Sequence, residues 1–181
     1  MKIINTSIPE VIVFIPQVFS DKRGHFLETY QEKKYHDAGI PKPFVQDNQS
    51  YSFKNVLRGL HFQLHHSQGK LVRVTQGSVF DVAVDLRRSS PTFGKWHGEV
   101  LSAENKRQMY IPENFAHGFC VLSDGAEFLY KCTDFYVPGD EIGLIWNDSQ
   151  IDIKWPIEQP IISEKDQLLP TFSEVLNLLP V

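Results

Sequence analysis

The chain has 181 residues, of which 41% are hydrophobic and 22% charged, and its formal net charge is −4. This length fits a single domain of about 100–200 residues with a sizeable core, and the negative total excludes the general attraction to nucleic acid that a basic protein has. The sequence shows neither a secretion-signal pattern at its N-terminus nor an apolar run of about 18 residues, so we predict no membrane partner.

The first half of the chain is predicted to consist mostly of β-strands. A β-rich run at residues 11–15 is either ended or confined to a sheet edge by Pro16. Residues 31–38 are the one early helix candidate, which Gly39 and Pro41 stop. The other strands predicted in this half are residues 25–30, 44–53 and 56–63.

After residue 74 the pattern is repetitive and all-β. In residues 79–86 the even-numbered positions from Phe80 to Leu86 are apolar and share one face, while the odd-numbered positions from Val79 to Asp85 share the other. Short strands separated by turn signals at about 8–12 residues are typical of a sandwich or barrel. We therefore predict one antiparallel all-β domain with a short packing helix at residues 171–179. Further strands are predicted at residues 96–101, 107–111, 117–122, 127–133 and 143–146.

The two cysteines point to a reducing compartment. Cys120 and Cys132 lie within apolar strand-like runs and lack the spacing of metal-binding cysteines. Buried, reduced thiols are typical of cytosolic proteins. We therefore predict a cytoplasmic location.

The stretches at residues 56–63 and 68–73 carry charged groups on otherwise apolar, strand-like sequence. Because an unpaired buried charge is costly, the presence of Arg58, His61 and Lys70 here suggests a lined cavity. An equally weighted alternative has Arg58 and Lys70 facing solvent and His61 hydrogen-bonded in the core. Arg58 and His61 have opposite parity on a regular strand, so they can line one cavity only if the strand is irregular, which Gly59 would permit.

The same residues can be read as a metal site or as an acid–base site. A cupin-type metal site needs a His-x-His pair, and here Gln63 stands where the second histidine would be, so we predict no metal. Without metal, His61 can act as a base if a carboxylate orients it, and Tyr130 can act as an acid. Lys70 and Arg58 can stabilise an enolate oxygen. The candidate carboxylates are Asp81, Asp85 and Asp166.

Separated motifs along nearly the whole chain resemble one family. They occupy residues 21–28, 46–52, 56–63, 68–73, 80–85, 90–94, 101–105, 111–112, 115–119, 130–131, 146–148 and 163–166. In this order they resemble dTDP-4-dehydrorhamnose 3,5-epimerase, a family of nucleotide-sugar enzymes. The resemblance implies a cupin-like antiparallel jelly-roll β-barrel with short flanking helices.

The resemblance also implies roles for individual residues. His61 matches the base, Asp166 the residue that orients it, and Tyr130 the acid on the opposite sugar face, while Lys70 lies near the C4 oxygen. Tyr136 matches the aromatic residue that stacks on thymine. The other positions that match substrate-binding residues are Arg23, Phe26, Glu28, Gln46, Asn48, Arg58, His117, Glu141 and Lys165.

The implied reaction is epimerisation at C3 and C5 of dTDP-4-dehydro-6-deoxy-D-glucose, on the way to dTDP-L-rhamnose. Both hydrogens are α to the C4 ketone, so enolisation inverts either carbon without a cofactor, and we predict none. In this family Arg23 and Glu28 act from the neighbouring subunit, which implies a homodimer with exchanged N-terminal strands.

Two departures from the family pattern lie close to the motifs. His65, His66 and Ser67 occupy a loop where prolines are common, which can alter substrate access. Asn114 stands where glycine is usual, and asparagine tolerates the left-handed backbone of such a turn.

Three alternatives remain from the sequence. The nearest is a relative that inverts only C3 or only C5, because the same pocket can release the enolate early. A non-catalytic nucleotide-sugar-binding cupin is disfavoured because binding alone needs no base facing an acid. A metal-dependent cupin oxygenase is the weakest, since the ligand pattern is missing.

Overall fold

The computed structural model describes residues 1–179, which form two antiparallel sheets that face each other and a separate two-stranded hairpin. None of the helices in this part of the chain has the length and apolar character needed to cross a bilayer. The helices are α1 Glu32–Asp37, α2 Glu164–Gln167 and α3 Phe172–Leu176. The strands are β1 Lys2–Asn5, β2 Ile12–Ile15, β3 Val18–Asp21, β4 Gly24–Leu27, β5 Gln46–Phe53, β6 Leu57–Gln63, β7 Lys70–Gln76, β8 Ser78–Asp85, β9 Trp96–Ser102, β10 Gln108–Ile111, β11 Phe115–Val121, β12 Gly125–Cys132 and β13 Glu141–Gly143.

The strand order is that of a jelly roll of the cupin type. One sheet has the order β1-β2-β10-β7-β12-β5 and the other β13-β6-β11-β8-β9, while β3 and β4 form the hairpin. From β5 onwards, successive strands change sheet at almost every step, so that β6 and β7 lie on opposite walls. The two sequence stretches that carry Arg58, His61 and Lys70 therefore face each other. The all-β jelly-roll prediction is confirmed.

The five-stranded sheet is buried on both of its faces. Its inner face packs against the six-stranded sheet in a cluster that includes Val79 and Ala83 of β8. Its outer face is covered by α3 and the segment around residues 151–155, in a second cluster that includes Val82 and Val84. The two faces predicted for residues 79–86 thus enter two different cores, which is why neither is polar throughout. Both cysteines are fully buried and free, Cys120 on β11 and Cys132 on β12.

Several predicted boundaries were wrong. The strand predicted at residues 143–146 is β13, Glu141–Gly143, because the amide of Ile145 binds the carbonyl of Pro170 instead of a neighbouring strand. For residues 11–15 the prediction is confirmed, since β2 ends at Ile15 before Pro16; it is an inner strand between β1 and β10 rather than an edge strand. β4 ends at Leu27 rather than at residue 30, and α3 is shorter than the helix predicted at 171–179. The strands β1 and β3 and the helix α2 were missed.

A buried carboxylate holds the β8–β9 connection and gives the fold a measurable dependence on pH. The Asp85 carboxylate is inaccessible and accepts hydrogen bonds from Arg87, Ser90 and Thr92, at 2.6–2.9 Å. Burial alone would raise the pKa of Asp85, but these donors outweigh it and the net pKa is lowered. A carboxyl group with a lowered folded-state pKa stabilises the fold above its unfolded pKa and loses that contribution as pH falls through the folded value.

We therefore expect Asp85→Asn to lower the free energy of unfolding by about 3 kcal/mol at pH 7, because Arg87 loses a buried charged partner. The difference from wild type should begin to shrink below about pH 4, where Asp85 of the unfolded chain binds a proton, and should disappear only as the pH falls through the lower folded-state pKa. Urea unfolding at several pH values measures this. Asp152→Asn is the control, since Asp152 pairs with Lys154 in an exposed position where little effect is expected. Equal losses in both variants at pH 7 would contradict the assignment.

Candidate active site

A pocket of about 500 Å³ lies between the two sheets and is closed on one side by the segment that leads into α2. Both sheets contribute to its lining, which is why residues distant in sequence meet here. The predicted site residues that line it are Arg58, His61, Lys70, His117, Tyr130, Glu141, Lys165 and Asp166.

Gly59 allows two residues of opposite parity to line this pocket. Its φ is +105°, which only glycine adopts readily, and the pairing between β6 and β11 shifts register at this point. A Cβ at Gly59 would lie 2.6 Å from the carbonyl oxygen of His117. The irregular strand turns Arg58 and His61 toward the same cavity, as the sequence required of Gly59.

His61 forms a close pair with Asp166. The distance from His61 Nε2 to Asp166 Oδ1 is 2.7 Å, and Asp166 Oδ2 accepts the backbone N–H of Gly59 at 3.2 Å. Ser163 caps α2 by accepting the N–H of Asp166, and this cap orients the first turn toward β6. Of the three candidate carboxylates, Asp166 is the one that contacts His61.

The pair has the electrostatics of an oriented base. Burial would raise the pKa of Asp166, but the hydrogen bond and charge of His61 outweigh burial, so the pKa is lowered and the group stays ionised. An ionised carboxylate at Nε2 favours the tautomer with the proton on that nitrogen, which leaves the lone pair on Nδ1. His61 is therefore equipped to accept a proton, and its side chain is 26% exposed, so a ligand can reach it.

Lys70 and Tyr130 lie on the six-stranded sheet, across the pocket from His61. β7 and β12 are neighbours, and Tyr130 is paired with Val72, two residues from Lys70. Burial lowers the pKa of Lys70 and raises the pKa of Tyr130. The phenol is thus kept protonated at neutral pH, and the ammonium group is poorly hydrated and strongly attracted to an anion. His61 and Tyr130 therefore lie on opposite walls of the pocket.

His117 is held by a different carboxylate. Its Nε2 lies 2.9 Å from Asp81 Oδ2, and the Asp81 side chain is inaccessible. Burial raises the pKa of Asp81 and lowers the pKa of His117. Both shifts disfavour the charged forms of the two groups, and the contact with Asp81 fixes the His117 ring at the pocket.

The rim of the pocket carries three more charges. Arg58 is anchored by a 2.9 Å hydrogen bond from its Nε to Ser52 Oγ, so its guanidinium has a defined position. Lys165 Nζ and Glu141 Oε1 are 2.6 Å apart, which raises the pKa of Lys165. The cations at this rim suit an anionic ligand in a protein that is acidic overall.

Three predicted binding residues lie beside the pocket. Gln46 and Asn48 are hydrogen-bonded to each other on β5 through a 3.1 Å contact. Gln46 Oε1 also accepts the backbone N–H of Tyr136 at 2.9 Å, which fixes the loop that carries this half-exposed aromatic ring. These residues extend the site away from the His61–Asp166 pair.

The remaining three predicted residues lie away from the pocket of their own chain. Arg23 and Phe26 are on the β3–β4 hairpin, where Arg23 pairs with Asp21 and the ring of Phe26 is 69% exposed. Glu28 binds Lys34 of α1. One chain alone therefore does not bring these groups to the site.

Among residues 1–179, no group of three or more His, Cys, Asp and Glu side chains is arranged to bind a metal ion. Gln63, which occupies the second histidine position of a cupin metal site, instead hydrogen-bonds three backbone groups of neighbouring loops. The loop with His65 and His66 is attached through its amides to the Asp140 carboxylate.

Sequence reasoning missed the contacts that hold His117 and the loops around the site in place. Asp81 pairs with His117, and Gln63 contacts the backbone of distant loops. These contacts join residues far apart in the chain, so a local sequence pattern cannot predict them. The helix α2 did have a signal, because a serine followed three residues later by an acidic residue is a typical helix start.

Comparison with known proteins gives one family over almost the full length. The family described as dTDP-4-dehydrorhamnose 3,5-epimerase matches residues 5–174. A curated relative of that name from Shigella flexneri is 58% identical over 168 residues, which cover 92% of this chain and 93% of the relative.

Solved structures agree with this result. An epimerase from Legionella pneumophila in complex with dTDP-4-keto-L-rhamnose has a TM-score of 0.96 and 52% identity, covering 99% of this chain and 97% of that one. A 3'-monoepimerase from Streptomyces bikiniensis in complex with dTDP-quinovose has a TM-score of 0.90 and 31% identity, covering 98% and 92%. The match of sequence and fold over nearly all of its length shows that the chain belongs to the dTDP-4-dehydrorhamnose 3,5-epimerase family and is an isomerase.

Proposed function

We propose that this protein inverts both C3 and C5 of dTDP-4-dehydro-6-deoxy-D-glucose to give dTDP-4-dehydro-L-rhamnose, without a cofactor. One observation carries the proposal: the His61–Asp166 pair faces Tyr130 across a pocket that also holds Lys70. This is the arrangement that enolisation followed by protonation on the other face requires.

Each inversion follows the same sequence of proton transfers. His61 removes the proton α to the C4 ketone, and the electron pair moves to the carbonyl oxygen to form an enolate. Lys70 and Arg58 stabilise the oxygen charge. The Tyr130 phenol then donates its proton to the opposite face of the carbon. Afterwards His61 releases its proton to water and the tyrosinate takes one up.

The nucleotide end is assigned to the rim and the adjoining loop. Arg58, His117 and Lys165, with the pair of Gln46 and Asn48 on β5, hold the sugar and the pyrophosphate, and Glu141 orients Lys165. Tyr136 stacks on thymine. Cations and an exposed aromatic ring suit a pyrophosphate joined to a base.

We also propose that the whole chain forms one domain and works as a cytoplasmic homodimer with exchanged N-terminal strands. The β3–β4 hairpin exposes the large apolar side chains of Phe19 and Phe26. Neighbouring exposed apolar side chains are typical of a protein–protein interface. β5 is an edge strand of the larger sheet, with unpaired backbone groups available to a second copy. In this dimer Arg23, Phe26 and Glu28 complete the partner's pocket. Two buried free thiols suit the cytoplasm.

The shared site predicts complementation between two inactive variants. An Arg23→Ala chain keeps its own His61, and a His61→Asn chain keeps its own Arg23, so a mixed dimer contains one intact site. After unfolding and refolding the two together, we expect activity of up to about a quarter of wild type, because half of the dimers are mixed and each holds one good site of two. Separately refolded chains mixed afterwards are the control. Failure to regain activity in mixed dimers would contradict exchange.

A single inversion is the second candidate, because a structurally similar protein is a 3'-monoepimerase. A monoepimerase would use the same proton transfers but would release the product after only one of the two carbons, C3 or C5, has been inverted. The pocket residues named above serve both outcomes.

A proton NMR time course in deuterium oxide tests the proposal. We expect both the C3 and the C5 proton signals to disappear with chelator present and no metal or nicotinamide added. Loss of only one signal, with one inverted centre in the product, selects the monoepimerase. If neither signal fades although the nucleotide sugar binds, the proposed reaction is wrong.

A further inference from the structure

We propose that Gln63 is a positioning residue for the nucleotide end of the substrate, acting through the backbone on both sides of Tyr136. This rests on the function proposed above and assigns a task to a buried side chain that the mechanism does not use. Gln63 is the last residue of β6, two positions after His61, and only 4% of it is exposed.

The Gln63 carboxamide makes three hydrogen bonds, all to the backbone of loops. Its Nε2 donates to the carbonyl of His66 at 2.7 Å and to the carbonyl of Phe135 at 3.1 Å. Its Oε1 accepts the N–H of Val137 at 2.7 Å. The bonds to Phe135 and Val137 therefore fix the chain directly before and directly after Tyr136.

A second carboxamide completes the arrangement. Gln46 Oε1 accepts the N–H of Tyr136 itself at 2.9 Å, from the opposite sheet. Three consecutive residues of this loop are thus held by two glutamines, while the Tyr136 ring stays about half exposed. An exposed ring on a fixed backbone is pre-organised to stack on a base, because little motion is lost when the ligand binds.

The position of Gln63 connects the two ends of the site. His61 and Gln63 have the same parity on β6, so both point toward the interior from one strand. One strand therefore fixes the spacing between His61, the proposed base, and Gln63, which holds the loop that carries Tyr136. A buried amide at this position would be costly if it served packing alone.

Calorimetric binding of dTDP tests the inference with a double-mutant cycle. Gln63→Glu keeps the shape and the bond from Val137 but loses both donors, so we expect dTDP to bind about tenfold more weakly. Tyr136→Ala should also weaken binding, and the double variant should bind no more weakly than Tyr136→Ala, because both changes act on one contact. Deuterium exchange at saturating substrate should stay close to wild type in Gln63→Glu.

The matched control is Gln68→Glu. Gln68 Nε2 joins the same two loops through the Asp134 carbonyl at 2.8 Å but does not flank Tyr136, and dTDP affinity should change less than about twofold. Equal weakening in both variants, or additive effects of Gln63→Glu and Tyr136→Ala, would overturn the inference. If Gln63→Glu is unfolded at the assay temperature, Gln63→Met replaces it with the same expectations. If wild type itself does not bind dTDP, the proposed function fails; if wild type binds and Gln63→Glu binds equally well, only the inference fails.

Discussion

His61→Asn should reduce solvent exchange at both C3 and C5 by a factor of about 10² to 10⁴, because it removes the imidazole that we propose as the base. The asparagine amide is too short to reach Asp166 Oδ1 as His61 Nε2 does, but Asp166 keeps its bonds to Gly59 and Ser163, so the fold and the position of α2 should persist. The measurement is the proton NMR time course, run at saturating substrate. Binding of dTDP should remain within a few-fold of wild type.

Asp166→Asn provides the graded comparison for this result. It leaves the imidazole in place but removes the negative charge that selects the tautomer, so exchange should fall at both carbons by less than in His61→Asn. Exchange persisting at one carbon in His61→Asn would show that a second base serves that carbon. Full activity in His61→Asn would remove His61 from the mechanism.

Gly59→Ala should lower the free energy of unfolding by about 3 kcal/mol or more, because the left-handed φ and two backbone clashes add together. The new Cβ would lie 2.6 Å from the carbonyl oxygen of His117 and 2.8 Å from the Cα of Gly118, and backbone cannot rotate away as a side chain can. For a chain of this size, the melting temperature should fall by about 10 °C. The folded fraction of this variant should also exchange substrate protons more slowly than wild type, because Gly59 positions Arg58 and His61.

Gly139→Ala separates the two causes. Gly139 also has a left-handed φ, +88°, but nothing lies within 4 Å of a Cβ built there. It should therefore lose only the conformational part, about 1–2 kcal/mol. Thermal unfolding of both variants measures the difference. If Gly139→Ala were as unstable as Gly59→Ala, the close approach of β6 and β11 would not be the reason that glycine is needed.

The sequence predicted the class of the fold better than its connections. The alternation in β8 and the regular turn signals predict an all-β domain, and the separated motifs predict the jelly roll. The change of sheet between successive strands depends on pairings between distant segments, such as β12 with β5 and β7, and local pattern contains no information about them. The β3–β4 hairpin was read only in part because most of its residues are exposed.

The site shows the same division. The need for an irregular strand at Gly59 followed from the parity of Arg58 and His61 alone. The residue pattern alone could not choose the carboxylate, because 105 residues separate His61 from Asp166, and only the family resemblance pointed to Asp166. In the structure, the other two candidates have their own partners: Asp81 binds His117 and Asp85 binds Arg87. The contacts therefore distinguish three carboxylates that look equivalent in the sequence.

Chemical labelling of the two buried cysteines can measure how often each sheet opens locally. Cys120 lies in the five-stranded sheet and Cys132 in the six-stranded sheet, and burial raises their pKa values to about 12 and about 11. Thiol reagents attack the thiolate, so neither residue reacts while its sheet is closed. The rate at which each cysteine is labelled thus measures how often its own sheet opens. Equal rates would mean that the two walls separate in one cooperative event, whereas faster labelling of Cys132 would mean that the wall carrying Tyr130 opens first.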